Sequence, residues 1–209
     1  EIGADGYSDN AFKIKVDRYV AVDFVDLVNI IDTIGGVTLD VTDEEIKVVN
    51  GYIWDMCENI VHTDPEEHYF SGAGTYYCDG IQTVCYARNR FVGNNDFERT
   101  SRQRYVLEQL MKEVKQMTLA QMTEKVQAIL GFVTMNVPEK EIWEMLPEVP
   151  DFLDYNIETV RIPFDNMYDT IYVGGQDMLV PYWESTIRQL QEAIYGSTTA
   201  AQKASEQNG

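Results

Sequence analysis

The chain has 209 residues, which suits a single domain large enough to bury a substantial core. Its 35 Asp and Glu residues outnumber 16 Lys and Arg residues, and the formal net charge of −19 excludes the broad basic surface that general nucleic-acid binding requires. A hydrophobic content of 44% is typical of a globular protein, and the sequence has neither an apolar run long enough to span a membrane nor a visible signal peptide.

The first 41 residues predict strands around one helix. Residues 11–22 partly alternate between apolar and polar side chains, which indicates one or two strands. Asp23 can cap a helix with apolar residues at helical spacing, and Gly35-Gly36 ends it. Residues 37–41, VTLDV, predict the next strand. This order favours an α/β sheet with a right-handed crossover.

The segment from residue 42 to residue 79 has no clear period. TDEEI predicts the start of a short helix, with Glu44 and Glu45 in solvent. Residues 50–77 mix turn residues, aromatic residues and acids, so we interpret them as a long loop with short pieces of structure, and loops of this length are usually functional or disordered.

Three cysteines, Cys57, Cys78 and Cys85, lack the spacing of a zinc site, and the two histidines, His62 and His68, do not supply it. A Cys57–Cys78 disulfide fits an oxidising compartment. Small buried thiols fit the pattern equally well, and the sequence leaves both alternatives open.

Positive charge is concentrated in one stretch. Five of the eight arginines fall within 17 residues. This stretch runs from the end of a short helix predicted over residues 80–87 into a long helix predicted from Phe97 to about Met117. Asp96 is the predicted N-cap of the long helix. Guanidinium groups fit phosphate oxygens two at a time, so the cluster predicts a phosphate or pyrophosphate pocket. The five are Arg88, Arg90, Arg99, Arg102 and Arg104.

Helical phase divides this cluster. The apolar stripe of the long helix includes Val106 and Leu107; Arg102 precedes Val106 by four residues, and Arg99 precedes Arg102 by three. Both arginines therefore continue the inward face and should line a cavity, where the helix N-terminus also favours anions. Arg104 falls off the stripe and is interpreted as a solvated or rim residue. Ion pairing on an acidic protein is the alternative for Arg88, Arg99 and Arg102.

The remaining chain predicts one globular unit, residues 1–195, and a disordered tail, residues 196–209, that lacks large apolar residues. The further predicted elements are helices over residues 119–131 and 139–146, a strand over 157–162, a turn at Gly174-Gly175 and a last helix over about 181–195.

Three segments in order resemble the LytR–CpsA–Psr family. They are GIQTVCYARNR followed by NDFERTSRQRYVLEQL, the earlier run VDRYVAVDFVDLVNIIDTIGGVTLDV, and the late segment RIPFDNMYDTIYVGGQDMLVP. The resemblance covers roughly residues 10 to 195. It implies an α/β fold, a mixed β-sheet flanked by helices in a sandwich that encloses a polyprenyl tunnel, which the helix stripes 24–34 and 106–117 would border if they are not simply core.

The resemblance implies a phosphotransferase that moves an anionic glycopolymer, teichoic acid or capsular polysaccharide, from a polyprenyl-pyrophosphate carrier to peptidoglycan. Such a protein works at the extracellular face of the cytoplasmic membrane of Gram-positive bacteria, on a single-pass anchor. A non-catalytic module that binds polyprenyl phosphate or cell wall is the alternative. A DNA-binding regulator is disfavoured by the acidic surface and the missing helix-turn-helix pattern.

The family motifs transfer onto this sequence residue by residue. The resemblance assigns catalysis to Asp96 and Arg99, with Asp96 accepting the proton of the attacking sugar hydroxyl; a plain N-cap paired with Arg99 is the alternative for Asp96. It assigns pyrophosphate binding to Arg88, Arg90, Arg99, Arg102 and Gln103.

The resemblance also implies parts that are absent from residues 1–10. Family members carry an N-terminal portion with a strand, aspartates and an arginine that bind Mg²⁺ and the pyrophosphate. We therefore expect most Mg²⁺ ligands, and the membrane anchor, to lie upstream of Glu1, and we assign no metal ligand within this chain.

Overall fold

The computed structural model describes residues 12–90, 95–155 and 158–196, with residues 95–98 described only as backbone. The chain divides into two compact units, one of Val20–Asn156 and one that joins Glu1–Tyr19 to Ile157–Gly209. Each unit is described by itself below.

The larger unit begins with a strand, a helix and a second strand: β1 (Val20–Ala21), α1 (Phe24–Ile34) and β2 (Val37–Val41). The Asp23 carboxylate accepts the backbone N–H of Asp26 at 2.8 Å and caps α1, as the sequence predicted. Gly35 ends the helix at φ 124°, a left-handed conformation that glycine adopts without steric cost.

The predicted loop over residues 50–77 is wrong for residues 50–61. Helix α2 (Asp43–Met56) continues into a π-helical turn, Cys57–Val61. Val49, Ile53 and Met56 are fully buried along one face of α2, so the chain buries a helical stripe there. The exposed Trp54 and the partly buried Tyr52 and Asp55 lie between these positions and hide the stripe from a simple count of apolar residues.

The sheets are small antiparallel pairs. β2 pairs with β3 (Gly74–Cys78), with Val37 opposite Cys78, and β1 pairs with β4 (Thr134–Met135). The α/β class is confirmed. The right-handed crossover is wrong, because β1 and β2 belong to different sheets and each has an antiparallel partner in the described residues.

Helices make up the remainder of the larger unit. Asp79 caps α3 (Gly80–Arg88) in a reciprocal pair with Gln82, as its carboxylate accepts the Gln82 N–H at 2.8 Å. The predicted helices over 97–117, 119–131 and 139–146 are confirmed with shifted ends. They are α4 (Asn95–Lys115), α5 (Leu119–Ile129) and α6 (Glu139–Met145), and the short α7 (Val149–Leu153) follows.

One apolar core lies where α1, α2, α3 and the β2–β3 pair meet. Val28 and Ile31 of α1 and Val106 of α4 are buried in it, which supports the core interpretation for these members of the two stripes. Two other predicted stripe residues are largely exposed: Phe24 by 53% and Leu107 by 61%.

The three cysteines are buried, unpaired thiols, so the Cys57–Cys78 disulfide does not form. Burial raises the pKa of Cys78 to about 12 and that of Cys85 to about 12. Both thiols are therefore protonated and unreactive at neutral pH.

We expect alkaline pH to destabilise the protein through these thiols. Their folded-state pKa values lie above the unfolded-state value of about 8.5, so the unfolded chain loses protons first and stability falls as pH rises. Urea unfolding in reducing buffer should show a loss of about 3 kcal/mol at about pH 9.5 relative to about pH 7.5. Serine at both positions should flatten the profile. An identical pH profile for the wild type and the double serine variant would contradict the assignment.

The smaller unit contains a hairpin and the last helix. β5 (Tyr168–Val173) and β6 (Gln176–Pro181) pair around the predicted Gly174-Gly175 turn, and α8 (Trp183–Tyr195) follows. The predicted strand over 157–162 is wrong, since residues 158–162 form no strand. The predicted tail, apart from Gly196, lies outside the described residues.

Candidate functional site

The arginine cluster lines a cavity to which four helices contribute. The C-terminal end of α3 provides Arg88, the following residue pair provides Arg90, and the first three turns of α4 provide Arg99 and Gln103. The cavity has a volume of about 600 Å³. Four of the predicted site residues therefore meet at one place, although they come from two motifs separated by a loop.

Two aromatic residues complete the described lining: Phe24, the first residue of α1, and Tyr52 of α2. The Arg88 guanidinium carbon lies 4.6 Å from the centroid of the Phe24 ring and 5.4 Å from that of Tyr52. Both are cation–π contacts. Sequence reasoning missed both residues, because neither belongs to the arginine motifs and each reaches the cavity only through the tertiary fold.

One N–H donor of the Arg88 guanidinium is buried. Its Nη1 atom is buried and has no hydrogen-bond partner among the described residues. Buried donors are almost always paired in native structures, and unpaired ones require an explanation such as a ligand or ion. Arg88 thus brings a positive charge to the cavity lining and carries one buried N–H donor with no acceptor among the described residues.

Arg102 occupies a different place from its neighbours. Its Nε donates to Glu45 Oε1 at 2.8 Å and its Nη1 to the Asn89 carbonyl at 3.3 Å, and both charged side chains are only 8% exposed. The inward direction predicted from helical phase is correct. The structure shows a contact with a carboxylate rather than with the cavity lining, and pyrophosphate binding by Arg102 stays a prediction.

The prediction that Glu45 is solvated is wrong. The residue is 6% exposed, and its second carboxylate oxygen accepts the Thr42 backbone N–H at 3.0 Å and the Thr42 hydroxyl at 2.9 Å. These bonds form the capping box of α2, so one carboxylate caps α2 and pairs with Arg102 of α4. In sequence, this acid-rich helix start looks the same as a solvent-exposed one. Only the position of Arg102 in the folded chain shows that Glu45 is buried.

Two further residues named in the sequence analysis, Asp96 and Arg104, belong to α4. Because α4 begins at Asn95, Asp96 lies inside its first turn and not at the predicted cap position, and its side chain is outside the described part of the structure. Arg104 donates to the Ser101 hydroxyl at 3.0 Å and is not among the described lining residues. This position agrees with its place off the inward stripe.

A metal site is not formed by the residues described. No group of three or more His, Cys, Asp or Glu side chains is arranged there to hold an ion. The same residues include no helix with the length and apolar character needed to cross a membrane.

The fold and the site define an α/β domain with an arginine-lined cavity. The LytR_cpsA_psr family model matches residues 8–190, and the chain belongs to this family. The chain is 28% identical over 170 residues to Biofilm regulatory protein A of Streptococcus mutans serotype c, covering 80% of this chain and 38% of that protein. It thus spans well under half the length of this curated relative.

Solved structures share the fold. B. subtilis TagV has a TM-score of 0.62 at 22% identity, over 89% of this chain and 67% of that one. TagT bound to LI-WTA has a TM-score of 0.61 at 16% identity, over 90% of this chain and 63% of that one. A transcriptional regulator from Enterococcus faecalis has a TM-score of 0.64 at 15% identity, over 98% and 70%.

Proposed function

We propose that this chain binds the pyrophosphate of a polyprenyl-linked glycopolymer and takes part in attaching that polymer to peptidoglycan. The observation that carries the proposal is the convergence of Arg88, Arg90 and Arg99 on one cavity in a chain of net charge −19. Family membership and the fold shared with TagT, solved bound to LI-WTA, support wall teichoic acid or a related anionic glycan as the polymer.

The chemistry follows from the cavity's charge. An acceptor sugar hydroxyl attacks the glycan-bearing phosphorus, the bond from that phosphorus to the bridging oxygen breaks, and polyprenyl phosphate departs with the developing negative charge. Arginines placed at those oxygens stabilise that charge more strongly in a cavity than in water. Asp96, one helical turn before Arg99, is the proposed acceptor of the hydroxyl proton.

Magnesium is proposed only for the complete protein. The described residues do not form a group of side chains that could coordinate it. Extracytoplasmic placement and a membrane anchor belong to the same proposal and rest on family membership.

Geranyl pyrophosphate, a soluble probe of the carrier head group, tests the proposal by titration calorimetry. Arg99→Ala should weaken its binding about 10- to 100-fold, because a charge-assisted hydrogen bond contributes about 1.5–3 kcal/mol. Arg104→Ala, one turn and a half further along α4 and bonded to Ser101, is the matched control and should bind like the wild type.

Turnover is tested in the same protein with a lipid-linked glycan and peptidoglycan. Asp96→Asn should retain binding of geranyl pyrophosphate and lose polymer transfer. Transfer at the wild-type rate by Arg99→Ala would end the proposal. Tight binding with no transfer by the wild type would instead favour a non-catalytic binding module.

A further inference from the structure

We infer that Phe24 and Tyr52 are positioning residues for Arg88: their rings hold its guanidinium at the cavity with its donors available to a phosphate oxygen. This inference rests on the proposed function, since it assigns how that site keeps one of its cations ready. It adds two uncharged residues, from outside the arginine motifs, to the pyrophosphate site.

The three residues come from three separate helices. Phe24 begins α1, Tyr52 lies in the third turn of α2, and Arg88 ends α3. Their guanidinium-to-ring distances are 4.6 Å and 5.4 Å, within the range at which the ring's negative face attracts a cation. Arg88 is the last helical residue before the loop, so without these contacts it would be free to adopt many rotamers.

Ring contacts suit an arginine that must stay available. This chain carries 35 Asp and Glu residues, and a carboxylate at hydrogen-bond distance captures guanidinium donors, as Glu45 captures Arg102. A π face attracts the positive charge but offers no carboxylate oxygen, so it restrains the guanidinium without neutralising it. The two arginines thus illustrate the difference between a cation used in folding and a cation held for a ligand.

The buried Nη1 donor of Arg88 points to the kind of ligand that this site favours. The atom is shielded from solvent and has no acceptor among the residues that the structure describes. A phosphate oxygen that enters the cavity supplies a charged acceptor for this donor. A neutral ligand or a chloride ion is a weaker acceptor for it. The rings therefore favour a phosphate-bearing ligand through Arg88 although neither ring need contact it.

The variant that tests the inference is Tyr52→Leu, with Tyr52→Phe as its matched control. Tyr52→Leu should weaken geranyl pyrophosphate binding about 10-fold, because it removes one cation–π contact and frees the guanidinium. Tyr52→Phe keeps the ring and should bind within about twofold of the wild type. Phe24→Leu should reproduce the loss at the other ring, and circular dichroism and urea unfolding would verify that each variant is folded.

A double-mutant cycle separates positioning from a general structural role. In the Arg88→Ala background, Tyr52→Leu should have almost no further effect on binding, since the cation it orients is gone. NMR titration follows the weak affinities of this background. An equal loss in both backgrounds would overturn the inference, as would wild-type affinity in Tyr52→Leu. Absence of binding by the wild-type protein would overturn the proposed function and this inference together.

Discussion

Arg102→Ala is expected to lower the free energy of unfolding by about 3–5 kcal/mol, because it leaves a buried carboxylate without its cation. Arg102 Nε lies 2.8 Å from Glu45 Oε1, and each side chain is 8% exposed, so water cannot replace the lost partner without opening the structure. Urea unfolding, followed by circular dichroism at neutral pH, measures the change.

Arg104→Ala is the matched control, because it removes the same side chain two positions later from a place where it donates to the Ser101 hydroxyl in an exposed hydrogen bond. It should change stability by less than about 0.5 kcal/mol. The double variant Glu45→Ala/Arg102→Ala should lose less than the sum of the single losses, since both charges are removed together. A loss below about 1 kcal/mol for Arg102→Ala would show that the pair is solvated in solution.

The ion pair matters to the site through what it joins. Glu45 caps the start of α2, Arg102 belongs to α4, and the Asn89 carbonyl that Arg102 also reaches follows the end of α3. The cavity arginines come from the elements that Arg102 connects. Arg88 and Arg90 lie at the end of α3 and just after it, and Arg99 lies on α4. We infer that one arginine of the cluster fixes the helices so that its neighbours meet, which explains why adjacent basic residues have different roles.

Sequence patterns predicted the structure correctly where neighbouring residues determine it. The Asp23 cap, the Gly35-Gly36 stop and strand β2 each depend on a few neighbouring residues, and all three are confirmed. The inward direction of Arg102 follows from helical phase for the same reason. The partner of Arg102 is 57 residues away, and no periodicity within α4 indicates it.

The errors arise where contacts are distant or the pattern is mixed. The pairing of β1 with β4 joins residues more than a hundred positions apart, as in Val20 opposite Met135, so the order strand–helix–strand could not identify either strand's partner. Likewise, Phe24 and Tyr52 reach the cavity from α1 and α2, and in sequence they resemble ordinary apolar positions. The arginine motifs predicted the positively charged residues of the site. The two aromatic residues that contact Arg88 reach it only through the tertiary fold.

The second large effect is expected at Gly80, where α3 begins against α1. A Cβ atom at this position would lie 2.3 Å from the Val28 carbonyl oxygen and 2.9 Å from the Val28 Cα, and backbone atoms cannot move aside as a flexible side chain can. The Gly80 N–H also donates to Asp32 Oδ1 at 2.6 Å, so the close approach is fixed by a hydrogen bond. Gly80→Ala should therefore cost about 3 kcal/mol or more.

Gly51→Ala provides a control of opposite sign. Gly51 lies within α2, and a Cβ atom there would meet nothing within 4 Å, so alanine should stabilise the protein by about 0.5–1 kcal/mol through its higher helix propensity. Urea unfolding of the two variants separates steric contact from the general preference for alanine in helices. A stabilised Gly80→Ala variant would refute the close packing of α1 and α3. Because α3 ends at Arg88, that packing also determines where this arginine meets the Phe24 ring of α1.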